Sequence, residues 1–421
     1  MAGASSQQPA RKRVRFDHAA SSDARAPGLD ATECVQLRFI WPDTPLPASP
    51  TQPHPTHLTF VPPFLHQIIP HERVRGWQSL HVAVYVHVPT LTYWIDSEGQ
   101  RDEHPDTDHT DVPALLALFI KDGLCPTRDD FEQIIIAQSP PLPFEHSLSE
   151  YSVADKRYVV YKHNFMKRDK SGATTQNAPL LAFHHRMAFL MFLYINDASF
   201  IDVEDERWEL FVTACLDHDG RPAVFTAYST VYPFSALAVG DGPMHFAERV
   251  RVSQVFVQPF FQRHGHGANL LNVIYADAKR RDAIQVTVED PSPSFRLLRD
   301  ITDLRRAYDA KILHTHAPLR LDDEQQLLHD LSQKLLLTPA QARRCLEVHQ
   351  LRHTDRADDN AYKKYRLWVK RRLFNVNLEI LDQYDKQEKK DRLAEIYDDL
   401  QTEYDKAILR LDARSTTKHT S

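Results

Sequence analysis

Residues 249–288 constrain the fold of this chain more tightly than any other stretch. Arg249–Gln258 reads as a strand, and Pro259 ends it. Gln262-Arg263-His264-Gly265-His266-Gly267-Ala268 follows and leads into an amphipathic helix. In that helix Leu270, Leu271, Ile274, Tyr275 and Ala278 recur at i, i+1, i+4, i+5 and i+8. Ile284–Val288 is the next strand, closed by Glu289-Asp290-Pro291. A helix that starts on a glycine turn presents amides with no acceptor inside the helix. Its dipole adds positive potential, and glycine lets an anion approach the backbone closely. Such a loop binds phosphate without a lysine. The order strand, glycine loop, helix, strand calls for an α+β fold.

Spacing narrows the type of loop. A dinucleotide fingerprint needs a third glycine where Leu270 stands, and a Walker loop needs Gly-Lys-Ser or Gly-Lys-Thr. Neither pattern is met. Gln262, Gly265 and Gly267 do satisfy the Q/R-x-x-G-x-G/A loop of the GNAT acetyltransferases.

The rest of the chain divides into four parts. Residues 1–30 are rich in Ala, Ser, Gln and Pro and read as a disordered tail. The basic run Arg11–Arg15 within them suits either a nuclear import signal or a solvated tail. Residues 31–150 form an N-terminal α/β domain of short apolar segments and proline-rich loops. His81–Val88 is a strand in it, and the acidic, histidine-bearing stretch Arg101–Asp111 reads as a loop. Residues 151–320 form an α+β core. Here Tyr158–Tyr161 is a strand, and Leu180–Asn196 is a helix with Phe183, Met187, Leu190, Met191 and Tyr194 on one side. Arg207–Leu216 and Ala223–Tyr232 make a hairpin around Asp217–Pro222, and Gly240–Pro243 breaks the chain. Residues 321–421 are charged and helical. Thr338-Pro339 marks one helix start. Residues 361–412 suit either a helical extension packed on the body or a partner-binding helix.

Composition sets outer bounds. The four cysteines, Cys34, Cys125, Cys215 and Cys345, lie far apart, which argues against a zinc site or a disulfide framework. No apolar run approaches the roughly 18 residues of a membrane span, and no signal-peptide core is present. A net charge of -6 disfavours direct nucleic-acid binding over a broad face and suits a cationic partner.

Several separated motifs together resemble one family. Ser253-Gln254, Pro259–Gln262, Gly265–Ala268 and Leu270-Leu271 are similar to the type B histone acetyltransferase catalytic subunit. So are Ala198–Val203, Asp205–Trp208, Val288–Ser292 and Leu298–Asp300, with Pro63-Phe64 and His66-Gln67 as a further match. The resemblance spans about residues 55–375. It implies that residues 151–320 are a GNAT catalytic core with a mixed sheet and flanking helices, and it implies acetyl transfer from acetyl-CoA to lysines of a free histone H4 tail. The co-substrate is then acetyl-CoA, with no metal. The expected partners are the histone tail and a WD-repeat propeller histone chaperone, in nucleus and cytoplasm.

The resemblance also implies roles for individual residues. Glu289 corresponds to the general base, with Asp290 beside it in support, facing the other way in an extended chain. The family has a second glutamate just before Ala-Ser-Phe-Ile-Asp. Asn196 stands there, so either Asp197 substitutes in a shifted register or Glu289 acts alone. Val255, Phe256 and Val257 would pair with the pantetheine arm. The amides of Gln262, Arg263, His264, Gly265, His266, Gly267 and Ala268 would hold the pyrophosphate, and Ser294 would lie near the CoA. Trp208, the segment Tyr232-Pro233-Phe234, and Glu72 would contact the peptide. Asn196 sustains a second reading, a catalytically weakened histone-binding scaffold on the same fold. An acetyltransferase for small amines is a third reading, against which the large N-terminal region and the helical tail speak.

Overall fold

The structure, a computed structural model, describes residues 28–42, 44–102, 109–137, 142–168, 174–238, 244–315, 317–319 and 323–417. Residues 1–27 of the tail expected over 1–30, the basic run within it, most of the acidic loop at 103–108 and the break at 240–243 lie outside these, whereas Leu29–Asp30, expected in that tail, pair with Arg73–Val74 as a short strand.

The chain begins with β1 (Leu29–Asp30), α1 (Ala31–Cys34), β2 (Val35–Ile40), β3 (Thr59–Phe60), β4 (Arg73–Val74), β5 (Trp77–His87) and β6 (Thr92–Arg101). Helices α2 (Val112–Phe119) and α3 (Arg128–Ile136) follow. Next come β7 (Ser147–Val153), β8 (Lys156–Asn164), β9 (Met166–Arg168), β10 (Thr174–Gln176) and the long α4 (Ala178–Tyr194). The centre of the fold is β11 (Glu209–Leu216), β12 (Pro222–Ala238), β13 (His245–Val257), α5 (His266–Arg280), β14 (Gln285–Val288) and α6 (Pro293–Asp309). The chain ends in α7 (Glu324–Leu335), α8 (Pro339–His353), α9 (Asp359–Val376), α10 (Leu378–Leu381) and α11 (Lys386–Thr417).

Two sheets organise these elements. The smaller has the order β3-β2-β5-β6 and the larger β14-β13-β12-β11-β8-β7. In the larger sheet every pairing is antiparallel except that of β13 with β14. Parallel neighbours need a crossover, and α5 supplies it.

Helix α4 departs from the one-sided pattern expected of it. Its second half, Met187–Leu193, is buried all round. The reason is a sheet on each side. Phe189 meets Tyr93 of β6 edge to face, while Phe183 meets Phe225 of β12. A helix covered on two faces has no solvent stripe to keep polar.

On the opposite face of the larger sheet, Val250, Val252 and Val286 pack with Leu270, Leu271, Ile274 and Tyr275 of α5 and Leu304 of α6. The same apolar cluster continues into Leu346, Val369, Tyr397 and Tyr404 of the C-terminal helices. The charged tail is therefore packed on the body. Buried ion pairs reinforce the seam. Arg344 donates to both oxygens of Asp300 at 3.1 and 2.6 Å, and Glu347 receives Arg372 at 2.5 and 2.7 Å and the Tyr404 hydroxyl at 2.7 Å. The Thr338 side chain caps α8 by accepting from the Gln341 amide, as its sequence signature requires.

Candidate active site

The candidate site lies where β13 and β14 part. Their register runs from Arg249 opposite Gln285 to Val252 opposite Val288. The Glu289 amide makes one more bond, to the Val252 carbonyl at 3.1 Å, and the chain then turns away at Pro291. β13 continues to Val257, still paired with β12 on its other side. Gln258 donates to the Thr226 carbonyl at 3.0 Å. Bonding alternates along an antiparallel pair, so the backbone groups of Val255 and Val257 point away from β12, toward the gap. The Val257 carbonyl accordingly accepts from the Gln262 side chain at 3.0 Å. A wedge with one open strand edge is the result.

The glycine loop closes the wide end of this wedge. Pro259–Phe261 make a single 3-10 turn, Arg263 and Gly265 both take positive φ (71° and 96°), and α5 starts at His266. The Gly265 carbonyl accepts the first helical bond, from Asn269 at 3.0 Å. The amides of His266, Gly267 and Ala268 precede that bond and have no acceptor within the helix. Gly267 has a different reason to be glycine. A Cβ there would meet Leu298 Cδ2 of α6 at 3.0 Å and Val257 Cγ2 at 3.5 Å.

The His266 ring turns inward, so only its backbone faces the wedge. The ring packs on Tyr158 with centroids 4.4 Å apart, and its Nδ1 is 2.7 Å from the Tyr151 hydroxyl. Burial, with His264 adding to it, pulls its pKa down to about 4, so the ring is neutral near pH 7. Ser294 sits exposed in the first turn of α6, next to the Ser292 cap.

Glu289 projects from the narrow end of the wedge. Its side chain is 46% exposed, and both oxygens have partners. Ser253 Oγ donates to Oε2 at 3.0 Å, and Arg251 donates to Oε1 at 3.4 Å. The extended geometry expected at Asp290 does not hold. Its φ is 28°, because the chain must turn before Pro291 to enter α6. Asp197 also has positive φ (56°), is exposed, and accepts from the Asn196 side chain at 2.9 Å. The segment after it is tied to β13, where Gln254 Nε2 donates to the Ser199 carbonyl at 2.8 Å.

An aromatic and charged cluster extends from Glu289. The Trp208 and Tyr232 rings lie 4.9 Å apart. Arg207 and Arg251 both stand over Tyr232, at 4.7 and 5.4 Å, and Arg251 also reaches Phe234 at 5.8 Å. The Tyr232 hydroxyl donates to Asp205 at 2.8 Å. The Arg207 guanidinium and the Tyr232 hydroxyl hold the Asp205 carboxyl well below the usual carboxylate range. Trp208, Tyr232 and Phe234 are thus brought together beside Glu289 through Arg251, whereas Pro233, opposite Val250, faces the α5 side of the sheet and is not part of the cluster. Glu72 is elsewhere. Its Oε1 accepts from the Leu65 and His66 amides at 3.0 and 3.1 Å, and the adjoining Gln67 side chain binds the Phe192 and Ile195 carbonyls at the end of α4.

Sequence reasoning passed over Arg251 and gave Ser253, though part of the family match, no role at the site. One signal was available: apolar residues alternate at Val250 and Val252, then resume at Val255 and Val257, a slip of one residue at Ser253-Gln254.

Comparison with known proteins adds two findings. Residues 28–196 match the family model described as the N-terminus of the histone acetyl transferase HAT1. Proteins named type B histone acetyltransferase catalytic subunits are similar over most of the chain. One from Dictyostelium discoideum is 28% identical over 416 residues, covering 90% of this chain and 84% of its own. One from Mycosarcoma maydis is 28% identical over 387 residues, covering 84% of each. The one from Homo sapiens is 28% identical over 330 residues, covering 75% of this chain and 74% of its own.

Proposed function

Taking as premise that this chain belongs to the family of type B histone acetyltransferase catalytic subunits, we propose that it acetylates lysines of the free histone H4 tail, with Glu289 as general base. The observation that carries the mechanism is the wedge: an open strand edge, a helix end rich in free amides and a partly exposed carboxylate converge on one gap.

Val255 and Val257 offer backbone groups to a pantetheine arm, and the amides of His266–Ala268 offer donors to a pyrophosphate. The fit is good, because both sets are unclaimed by secondary structure on the side that faces the gap. Acetyl-CoA, when bound, supplies an activated acyl carbon. The chain's own residues must supply a free amine. Lysine has a pKa near 10.4, so about one side chain in 2,500 is neutral at pH 7, a deficit of about 4.6 kcal/mol. Glu289 would take the ammonium proton on a carboxylate oxygen. The amine then attacks the acyl carbon, the carbon–sulfur bond breaks, and the second proton of the attacking nitrogen passes to the departing thiolate, giving the amide and the free thiol.

The aromatic face of Trp208, Tyr232 and Phe234 suits the methylene stem of a lysine and its neighbours. A net charge of -6 favours approach of a basic tail. Family membership supports a WD-repeat propeller chaperone as partner, and the basic run Arg11–Arg15 supports a nuclear as well as a cytoplasmic pool.

The test is a transfer assay with labelled acetyl-CoA and an H4 tail peptide. Wild type should transfer the label, and Glu289→Gln should lose about 10²- to 10⁴-fold in kcat, the usual worth of a positioned base. A Glu289→Gln enzyme as fast as wild type across pH 6–9 refutes the base. No transfer by wild type, with tail binding intact, favours the scaffold reading, which the amide at Asn196 keeps in play.

A further inference from the structure

The odd–even alternation of β13 shifts at a single residue, so that Val250 and Val252 before it and Val255 and Val257 after it all face α5. Thr230 pairs with Gln254 but Val231 pairs with Val252, so Ser253 is an extra residue in β13. Such a bulge resets the alternation of side chains. Before it, Val250 and Val252 lie in the apolar cluster under α5; after it, Phe256 lies in the cluster around α4. Ser253 and Gln254 therefore project from adjacent positions toward the same side. Gln254 reaches the Ser199 carbonyl at 2.8 Å, and Ser253 Oγ reaches Glu289 Oε2 at 3.0 Å. The bulge thus fastens both walls of the wedge, the 196–202 segment and the end of β14.

We infer that Ser253 is a positioning residue that holds the Glu289 carboxylate toward the open edge of β13. This rests on Glu289 being the base. A long carboxylate that is nearly half exposed samples many rotamers, and a base displaced by about 1 Å loses rate steeply. Ser253 can restrain it because the residues on either side are fixed, Val252 by its pairs with Val231 and Val288 and Gln254 by its pair with Thr230. The hydroxyl is also the right chemistry. It donates one hydrogen bond to the charged form and brings no charge of its own, so a second lone pair on each carboxylate oxygen stays available for a proton. Arg251 makes the longer contact and is drawn toward the Tyr232 and Phe234 rings. No bond is made or broken at Ser253 itself.

The experiment uses the full-length protein, acetyl-CoA and an H4 tail peptide, with Ser253→Ala, Ser253→Thr, Ser253→Cys and Glu289→Gln. Ser253→Ala should lower kcat about tenfold with both KM values unchanged, since the misplacement affects the base alone. Ser253→Thr keeps the donor and should restore most of the rate. Ser253→Cys, a weak donor of similar size, should fall between and covers the case in which Ala loosens the bulge. An unchanged kcat in Ser253→Ala overturns the inference. So does a Thr variant as slow as Ala, or a loss confined to KM for acetyl-CoA. Wild-type transfer that Glu289→Gln leaves intact overturns the reading of the base instead, and the two failures are told apart by the Glu289 variant.

Discussion

At the scale of single residues, the two glycines of the loop have different jobs. Gly265 turns the chain with φ near 96°, a conformation that costs a side chain energy. Gly267 lets α5 and α6 come together, since a Cβ would press on Leu298 at 3.0 Å. Gly267→Val should therefore destabilise the fold by about 1–3 kcal/mol, the usual cost of overpacking. It should also raise KM for acetyl-CoA by shifting the helix end. Thermal unfolding and initial rates check the two halves, and an unmoved Tm together with an unmoved KM would contradict the packing argument. The need for glycine at both positions was legible in the pattern. The cause at Gly267 was not, because Leu298 lies thirty-one residues further along and only folding brings it into contact.

At the scale of elements, the C-terminal helices owe their place to buried charge as much as to apolar packing. The Glu347 side chain is 1% exposed and is held by Arg372 of α9 and Tyr404 of α11. Glu347→Ala leaves the partly buried Arg372 guanidinium without its carboxylate and the buried Tyr404 hydroxyl without its acceptor. It should cost about 3–5 kcal/mol, the range for breaking one side of a buried pair. The urea midpoint should drop accordingly, and a shift of only a few tenths of a kcal/mol would mean that the pair is not integral to the seam. Helix positions here were readable from caps and periodicity, as Thr338 shows. Docking was not, since α9 and α11 look like solvated helices until their partners on α8, Glu347 and Arg344, are known. Helix α4 misleads in the other direction. A one-sided stripe was expected, yet two sheets enclose it.

At the scale of the whole molecule, acid should unfold the protein cooperatively. His87, His266 and His349 are pulled down to about 4 and His184 to about 3, burial being the first cause in each. All four are neutral when folded and take up protons near 6.5 when unfolded. The unfolded state thus binds more protons below that value, and stability present at pH 7.5 is lost as pH falls toward 4. Each histidine adds up to about 1.4 kcal/mol per pH unit, so four set an upper slope of roughly 5. Urea midpoints at pH 7.5, 6.0 and 5.0 measure this, and a flat series would show that these rings are not held neutral.

By itself the sequence determined the strand–loop–helix–strand order, the anion-binding helix end, the hairpin of β11 and β12, and the family resemblance. These depend on neighbours within a few residues, where periodicity, caps and glycine act directly. Only the tertiary structure decided what surrounds Glu289. The parting of β14 from β13, the bulge that aims Ser253, and Arg251 lodged over Tyr232 and Phe234 are relations between strands. Their partners lie up to 38 residues apart, and no local rule of spacing fixes a distance across a sheet.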